Sequence, residues 1–163
     1  MDHLSTPWRM QYINGNQSKP EDQACVFCAA AKMEDSFDNL IVKRCENTFI
    51  ILNRFPYNNA HLLIVPFVHV ACIEHLSPTV RHEIMDMANL SVETLKSLYA
   101  PQGFNLGFNL GAVAGAGIAE HLHMHVIPRW GGDTNFMSTV GQTRVLPEEL
   151  TETYQRLYKA FNS

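Results

Sequence analysis

His121, His123 and His125 alternate along the run Glu120-His-Leu-His-Met-His-Val-Ile-Pro-Arg-Trp130. Side chains of a β-strand point to opposite faces in turn, so this spacing predicts three imidazoles on one face and Leu122, Met124 and Val126 on the other. Near neutral pH an imidazole can attack, pass a proton or bind a metal. A merely structural site would crowd three like rings together. We therefore favour chemistry over a chance cluster or a metal-only site.

Two other groups of residues carry chemistry. Cys25-Val-Phe-Cys28 has the spacing of half a tetrahedral zinc site, which needs two further ligands from elsewhere. Two buried thiols or a redox pair are the alternatives at this point. In Gly111-Ala-Val-Ala-Gly-Ala-Gly117, Gly115 and Gly117 lack a Cβ, so backbone there can approach a ligand and its N–H groups can cradle phosphate oxygens. An ordinary turn needs glycines too. The segment matches neither the dinucleotide-binding glycine fingerprint nor a P-loop.

The elements that must hold these groups follow from hydrophobic periodicity. Leu40–Arg44, Thr48–Leu52 and Leu62–Val65 are short β-branched and apolar runs between turn residues, and Asn53–Ala60 suits a connection between antiparallel neighbours. Ser77-Pro78 offers an N-cap and a first-turn proline. Val80, Ile84, Met87, Leu95 and Leu98 then recur at helical spacing, so a helix of about two dozen residues should end near Pro101-Gln-Gly103. Gly103–Leu110 is a further strand, and the glycine loop leads from it into the histidine strand. A last amphipathic helix begins near Pro147 and lines up Leu150, Tyr154, Leu157 and Phe161. Strands, helix, strands, helix is an α+β order: an antiparallel sheet of about five strands with a long and a C-terminal helix packed on it.

The chain of 163 residues suits a single domain, read as an N-terminal arm and loop (1–24), a core (25–130) and a C-terminal extension with a helix (131–163). In the arm, Trp8, Met10, Tyr12 and Ile13 should dock on something, and residues 14–23 are turn-rich. A net charge of -4 without a Lys/Arg cluster excludes a nucleic-acid backbone as partner. No apolar run approaches the ~20 residues that span a membrane. The start lacks a secretory signal, so four cysteines imply a reducing cytoplasm. Cys45, Cys72 and the helix methionines Met85 and Met87 are expected in the core, and His3, His75 and His82 in solvent.

His121-Leu-His-Met-His-Val-Ile127 resembles the signature of the histidine triad (HIT) family, His-φ-His-φ-His-φ-φ with φ apolar. The resemblance extends through Asp38-Asn-Leu40, Leu52–Pro66 and His69. Trp8-Arg9, Gly115-Ala-Gly-Ile118 and Pro128–Met137 look like the branch of diadenosine tetraphosphate phosphorylases, similar in reaction to ATP adenylyltransferases. The resemblance implies the histidine triad fold as a homodimer, with dinucleoside polyphosphates, AMP, ADP, ATP and inorganic phosphate as ligands.

By the same resemblance His123 attacks the α-phosphorus to form a nucleotidyl-histidine, and His125 contacts the phosphate and assists the leaving oxygen. His61 supports the triad from behind, Asn53 meets the ribose hydroxyls, and Asn109 lies near the phosphates. His69 and His121 complete a structural zinc site with Cys25 and Cys28. Many relatives carry Gln-Ser or Gln-Thr before the triad. Ala116-Gly-Ile118 replaces that pair here, so backbone N–H groups of Gly115, Ala116, Gly117 and Ile118 are expected to do its work. Arg129 could meet a phosphate or an ion-pair partner, Asn135-Phe-Met137 could border a distal nucleotide, and Phe27, Leu40 and Val42 could line an adenine pocket or the core. The alternatives kept beside phosphorolysis are hydrolysis of dinucleoside polyphosphates or nucleoside phosphoramidates, and a nucleotide- or zinc-binding protein without turnover.

Overall fold

Thr48–Leu52 and Leu62–Pro66 are buried at every position. A strand apolar on both sides needs a cover on both faces of its sheet, and the rest of the fold supplies one for each. The structure, a computed structural model, describes residues 25–134 and 148–163. In chain order its elements are α1 (Val26–Ala31), β1 (Ile41–Arg44), β2 (Thr48–Leu52), β3 (Leu62–Pro66), α2 (Pro78–Tyr99), β4 (Gly103–Phe108), β5 (Met124–Arg129) and α3 (Leu150–Asn162). The strands form one antiparallel sheet in the order β1-β2-β3-β5-β4. This is the α+β arrangement that the hydrophobic pattern implies.

Residues directly opposite on paired strands share a face. Ile51 pairs with Leu63, Leu63 with His125, and His125 with Gly107, so these four form one row across the sheet. The other face carries Thr48, which reaches Glu83 of α2, and Lys43, whose Nζ donates to the carbonyl of Phe161 in α3. Helices α2 and α3 therefore cover one face and the histidine row belongs to the other.

Helix α2 starts where Ser77 Oγ accepts from the Val80 N–H at 3.3 Å, with Pro78 in its first turn. Its buried stripe is Val80, Ile84, Ala88, Ser91 and Leu95, at intervals of three or four residues. It ends at Ala100, which turns left-handed (φ 45°) just before Pro101. Helix α3 buries Tyr154, Leu157 and Phe161, and Leu150 is half-buried. Its first turn is tied to the end of α2: Glu148 accepts from Tyr99 Oη at 2.8 Å and Thr153 Oγ1 at 2.7 Å, and pairs with Arg156 at 2.9 Å.

The cover on the histidine face is α1, a helix that the sequence pattern does not announce because six residues hold too few turns to show a period. It is fixed from outside. Arg44 of β1 donates to the carbonyls of Ala31 and Met33, both at 2.8 Å, and to Asp35 at 2.7 Å, so one guanidinium holds the end of α1. Buried Asn39 accepts from the N–H groups of Ser36 and Ile41 and donates to the carbonyls of Ala30 and Glu34. Leu40 then takes φ 60°, and β1 begins one residue later than the apolar run suggests. β4 likewise ends at Phe108, two residues before Leu110.

Cys45 and Cys72 are half-buried, and the Cys45 thiol lies 2.9 Å from the sulfur of Met87. Met85, unlike Met87, is exposed. His75 and His82 face solvent as expected. The arm with Trp8, the loop 14–23, His3 and Asn135-Phe-Met137 lie outside the described residues. Among those described, no helix is long and apolar enough to cross a membrane.

Glu83 joins α2 to the β1–β2 turn. Its carboxylate accepts from the Asn47 N–H at 2.9 Å, Asn47 Nδ2 at 2.7 Å and Thr48 Oγ1 at 2.7 Å. Burial pushes its pKa up, but these hydrogen bonds outweigh burial and hold it below the ordinary value. Glu83→Ala strands these donors, and urea unfolding should show a loss of about 1.5–3 kcal/mol, the range for hydrogen bonds to a charged group.

Candidate functional site

Of the three alternating histidines only His125 lies within β5; His121 and His123 sit on the segment leading into Met124. The expectation of one strand carrying all three is corrected to that extent. The rings still gather on the α1 side of the sheet. The His123 and His125 centroids are 5.0 Å apart, and the Phe27 ring of α1 lies 5.1 Å from His123 and 5.4 Å from His121. Phe27, Leu40 and Val42 are all buried in the core.

Fixed hydrogen-bond donors and acceptors assign a proton to each ring. The Tyr57 N–H donates to His61 Nδ1 at 3.1 Å, so a neutral His61 carries its proton on Nε2. That nitrogen lies 2.9 Å from His125 Nδ1 and donates to it, which leaves the proton of a neutral His125 on Nε2. His123 Nδ1 faces the carbonyl of His121 at 2.9 Å and must donate, so its lone pair is on Nε2. Burial lowers the pKa of His123, against an opposing pull from that carbonyl, and favours the neutral ring. One ring thus offers a lone pair and its neighbour a proton.

His121 is turned elsewhere. Its Nε2 donates to the Pro66 carbonyl at 2.8 Å, which points Nδ1 into a cluster with Cys25, Cys28 and His69. Nδ1 stands 3.3 Å from the Cys25 sulfur, 3.5 Å from that of Cys28 and 3.2 Å from His69 Nδ1; the Cys28 sulfur is 3.4 Å from His69 Nδ1. Metal–ligand bonds of ~2.0–2.3 Å place tetrahedral ligand atoms about 3.3–3.8 Å apart. These contacts sit at or slightly inside the lower end of that range. Two thiols and two imidazole nitrogens with converging lone pairs form a Cys2His2 cluster that can hold a metal ion.

The remaining candidates fall at different distances from the triad. Asn53 Nδ2 lies 3.2 Å from His61 Nδ1, and its Oδ1 accepts from the Phe55 N–H, so it braces the connector as well as facing the site. Asn109 Nδ2 reaches the Gly115 carbonyl at 3.5 Å, joining the end of β4 to the glycine loop. In that loop the Gly115 N–H donates to Ala112 O and the Ala116 N–H to Gly111 O. Those two N–H groups close the loop's own turn.

Several positions carry no signature in the sequence. The Tyr57 ring lies nearly parallel to His125, at 15° and 5.6 Å between centroids. Its neighbour Asn58 donates to Asp133 Oδ2 at 2.8 Å and to the Pro128 carbonyl at 3.0 Å. Arg129 grips Asp133 with two hydrogen bonds of 2.7 and 2.9 Å and donates to Asn105 Oδ1 at 2.7 Å. Its partner is thus a carboxylate of its own chain. Asp133 ties the β2–β3 connector to the end of β5 and so holds Tyr57 over His125. A cleft of about 180 Å³ opens beside His125, bordered by Tyr57, Asn105, Gly107, Asn109 and Ile127. A larger one, about 280 Å³, lies at the start of α3 between Arg54, Pro56, Glu148 and Leu150, away from the imidazoles.

Comparison with known proteins matches residues 34–132 to the model of the HIT domain family. AP-4-A phosphorylase of Mycobacterium tuberculosis is 36% identical over 162 residues, covering 96% of this chain and 83% of that protein. The crystal structure of a hypothetical histidine triad nucleotide-binding protein from Sulfolobus tokodaii superposes with a TM-score of 0.64 at 27% identity, over 84% of this chain and 89% of the other. A zinc-bound histidine triad family protein from Mycobacterium smegmatis gives 0.68 at 24% identity, over 85% and 94%. This last likeness is one of fold.

Hydrogen bonds from Arg129, first of all, draw the Asp133 pKa down from 3.8 to about 2. A depressed carboxyl stabilises the fold fully above its unfolded pKa and loses that contribution as pH falls through the folded one. The Asp133 contribution should therefore be intact above about pH 5 and fade towards pH 2. Asp133→Asn should flatten that part of the acid unfolding curve and speed hydrogen exchange at the Tyr57 and Asn58 amides. An unchanged exchange rate there would show that Asp133 does not hold the connector.

Proposed function

The chain belongs to the HIT family and is an enzyme of it, a nucleotidyltransferase or a hydrolase, and we propose that it cleaves dinucleoside polyphosphates by phosphorolysis, as a single histidine triad domain. The observation that carries this reading is the hydrogen bonding of the two rings: His123 Nδ1 faces a carbonyl and His125 Nδ1 faces His61 Nε2, which gives their Nε2 atoms opposite roles. His123 Nε2 attacks the α-phosphorus of diadenosine tetraphosphate and forms an N–P bond. The P–O bond to the polyphosphate breaks, and the departing oxygen takes the proton of His125 Nε2, releasing ATP. An oxygen of inorganic phosphate then attacks the same phosphorus, the N–P bond breaks, and ADP leaves. His61 keeps the His125 proton on the reactive nitrogen. The name of the relative from M. tuberculosis favours phosphate over water as acceptor.

In this reading Asn53 meets the ribose and Asn109 the phosphate chain. Since the N–H groups of Gly115 and Ala116 serve their own turn, those of Gly117 and Ile118 face the non-bridging oxygens. The metal is zinc, held by Cys25, Cys28, His69 and His121, a donor set that suits it. Its part is structural: bound there, it would fasten α1 to the segment that carries His123. The assembly is a homodimer, consistent with β4 at the sheet edge exposing Leu106, and Leu110 exposed beyond its end. A cytoplasmic location fits four free cysteines.

Incubation with diadenosine tetraphosphate, with and without inorganic phosphate, decides the acceptor. ADP and ATP in equal amounts, dependent on phosphate, are expected; AMP and ATP regardless of phosphate would make the enzyme a hydrolase. His123→Ala should lower turnover by at least about 10⁴-fold while nucleotide binding stays within a few-fold. Undiminished activity of that variant would sink the covalent step, and no turnover by the wild type would favour a binding protein.

Elemental analysis should find one zinc per chain, and Cys25→Ser should lose both the metal and several degrees of thermal stability. A metal-free wild type with an unchanged melting temperature would refute the zinc site.

A further inference from the structure

On the histidine face the two sides of the sheet differ. Over β2 and β3 the row is closed, with Phe49, Ile51, Leu63 and Val65 all buried. Over β4 it is open, and the cleft beside His125 lies there. Gly107 stands directly opposite His125 in the pairing of β4 with β5. A Cβ built on Gly107 would meet no atom within 4 Å. Its backbone is not in the left-handed region, so no constraint of conformation calls for glycine here. What glycine leaves is space on the triad face, next to the imidazole that holds a proton.

We propose that the cleft beside Gly107 is the subsite for the leaving nucleoside of a dinucleoside polyphosphate, an assignment that rests on the cleavage reading above. The group that protonates a departing oxygen must lie on the leaving-group side of the phosphorus, and His125 borders this cleft. The lining is chemically specific. Tyr57 contributes an aromatic ring, Ile127 an aliphatic wall, and Asn105 and Asn109 their carboxamides. No Asp, Glu, Lys or Arg borders it among the described residues, so it suits an uncharged heterocycle or sugar beyond the phosphate chain that Asn109 meets. Arg129 holds the oxygen of the Asn105 amide, which turns that side chain's N–H groups into the available donors. At about 180 Å³ the cleft is smaller than the ~300–1,000 Å³ of sites that enclose a whole ligand, as expected of a subsite for one end of a long substrate.

The test compares two substrates that share the reacting end and the phosphate chain: diadenosine tetraphosphate and adenosine 5′-tetraphosphate, which lacks the second nucleoside. The wild type should prefer the former in kcat/KM by about tenfold or more, the scale of one well-filled apolar pocket. Gly107→Val should abolish that preference, and Gly107→Ala should weaken it, while turnover of adenosine 5′-tetraphosphate stays within a few-fold. Asn105→Ala should reduce the preference through KM. The ratio is internal to each variant, so partial unfolding lowers both rates and leaves it unmoved. Equal use of both substrates by the wild type, or a preference that survives in Gly107→Val, would overturn the subsite and leave the cleavage reading standing. If the wild type turns over neither substrate, the cleavage reading itself fails.

Discussion

His121 is bonded in three directions, and most of the site depends on it. Its Nε2–H is held by the Pro66 carbonyl at the end of β3, its Nδ1 faces two thiols and His69, and its own carbonyl accepts from His123. The first bond decides which nitrogen is free for the cluster. The last decides which nitrogen of His123 keeps a lone pair. A single residue thus couples the placement of α1 to the tautomer of the ring two positions away. Its near-complete burial follows, since water in this position would compete for all three bonds.

Much of the fold was legible because β2 and β3 are apolar runs bounded by turn residues, and α2 carries both a cap and a regular stripe. The order of elements and the place of each strand, to within a few residues, follow from the sequence pattern. What escaped the pattern was short or irregular. Helix α1 is held by Arg44 and Asn39, residues distant from its own first turn, and no local period could reveal it. Leu40 and Ala60 adopt left-handed backbone without being glycine, and both are buried, so no local glycine signal marks these turns.

The site was legible where chemistry demands unusual residue types. Histidine at alternate positions and a cysteine pair are conspicuous in any chain. Asn58, Asp133 and Tyr57 are not, since a turn-rich connector and a polar segment after a strand are commonplace. Their importance lies in a contact across 75 residues of sequence between Asn58 and Asp133. The glycine loop was the converse case. Its composition suggests an open cradle, yet hydrogen bonds within a tight turn engage the N–H groups of Gly115 and Ala116.

The file of donors from Tyr57 N–H through His61 to His125 ends in a peptide amide. An amide holds its proton, so the Tyr57 end of the line does not recharge His125. It works as a ratchet rather than a wire: it sets the direction in which a proton faces and supplies none. Under the proposed chemistry the proton lost with the departing group can come back from the acceptor that enters next. The two half-reactions are then joined by one shared proton as well as by one shared phosphorus. An acceptor that brings its own proton close to His125 resets the enzyme in the act of releasing the product.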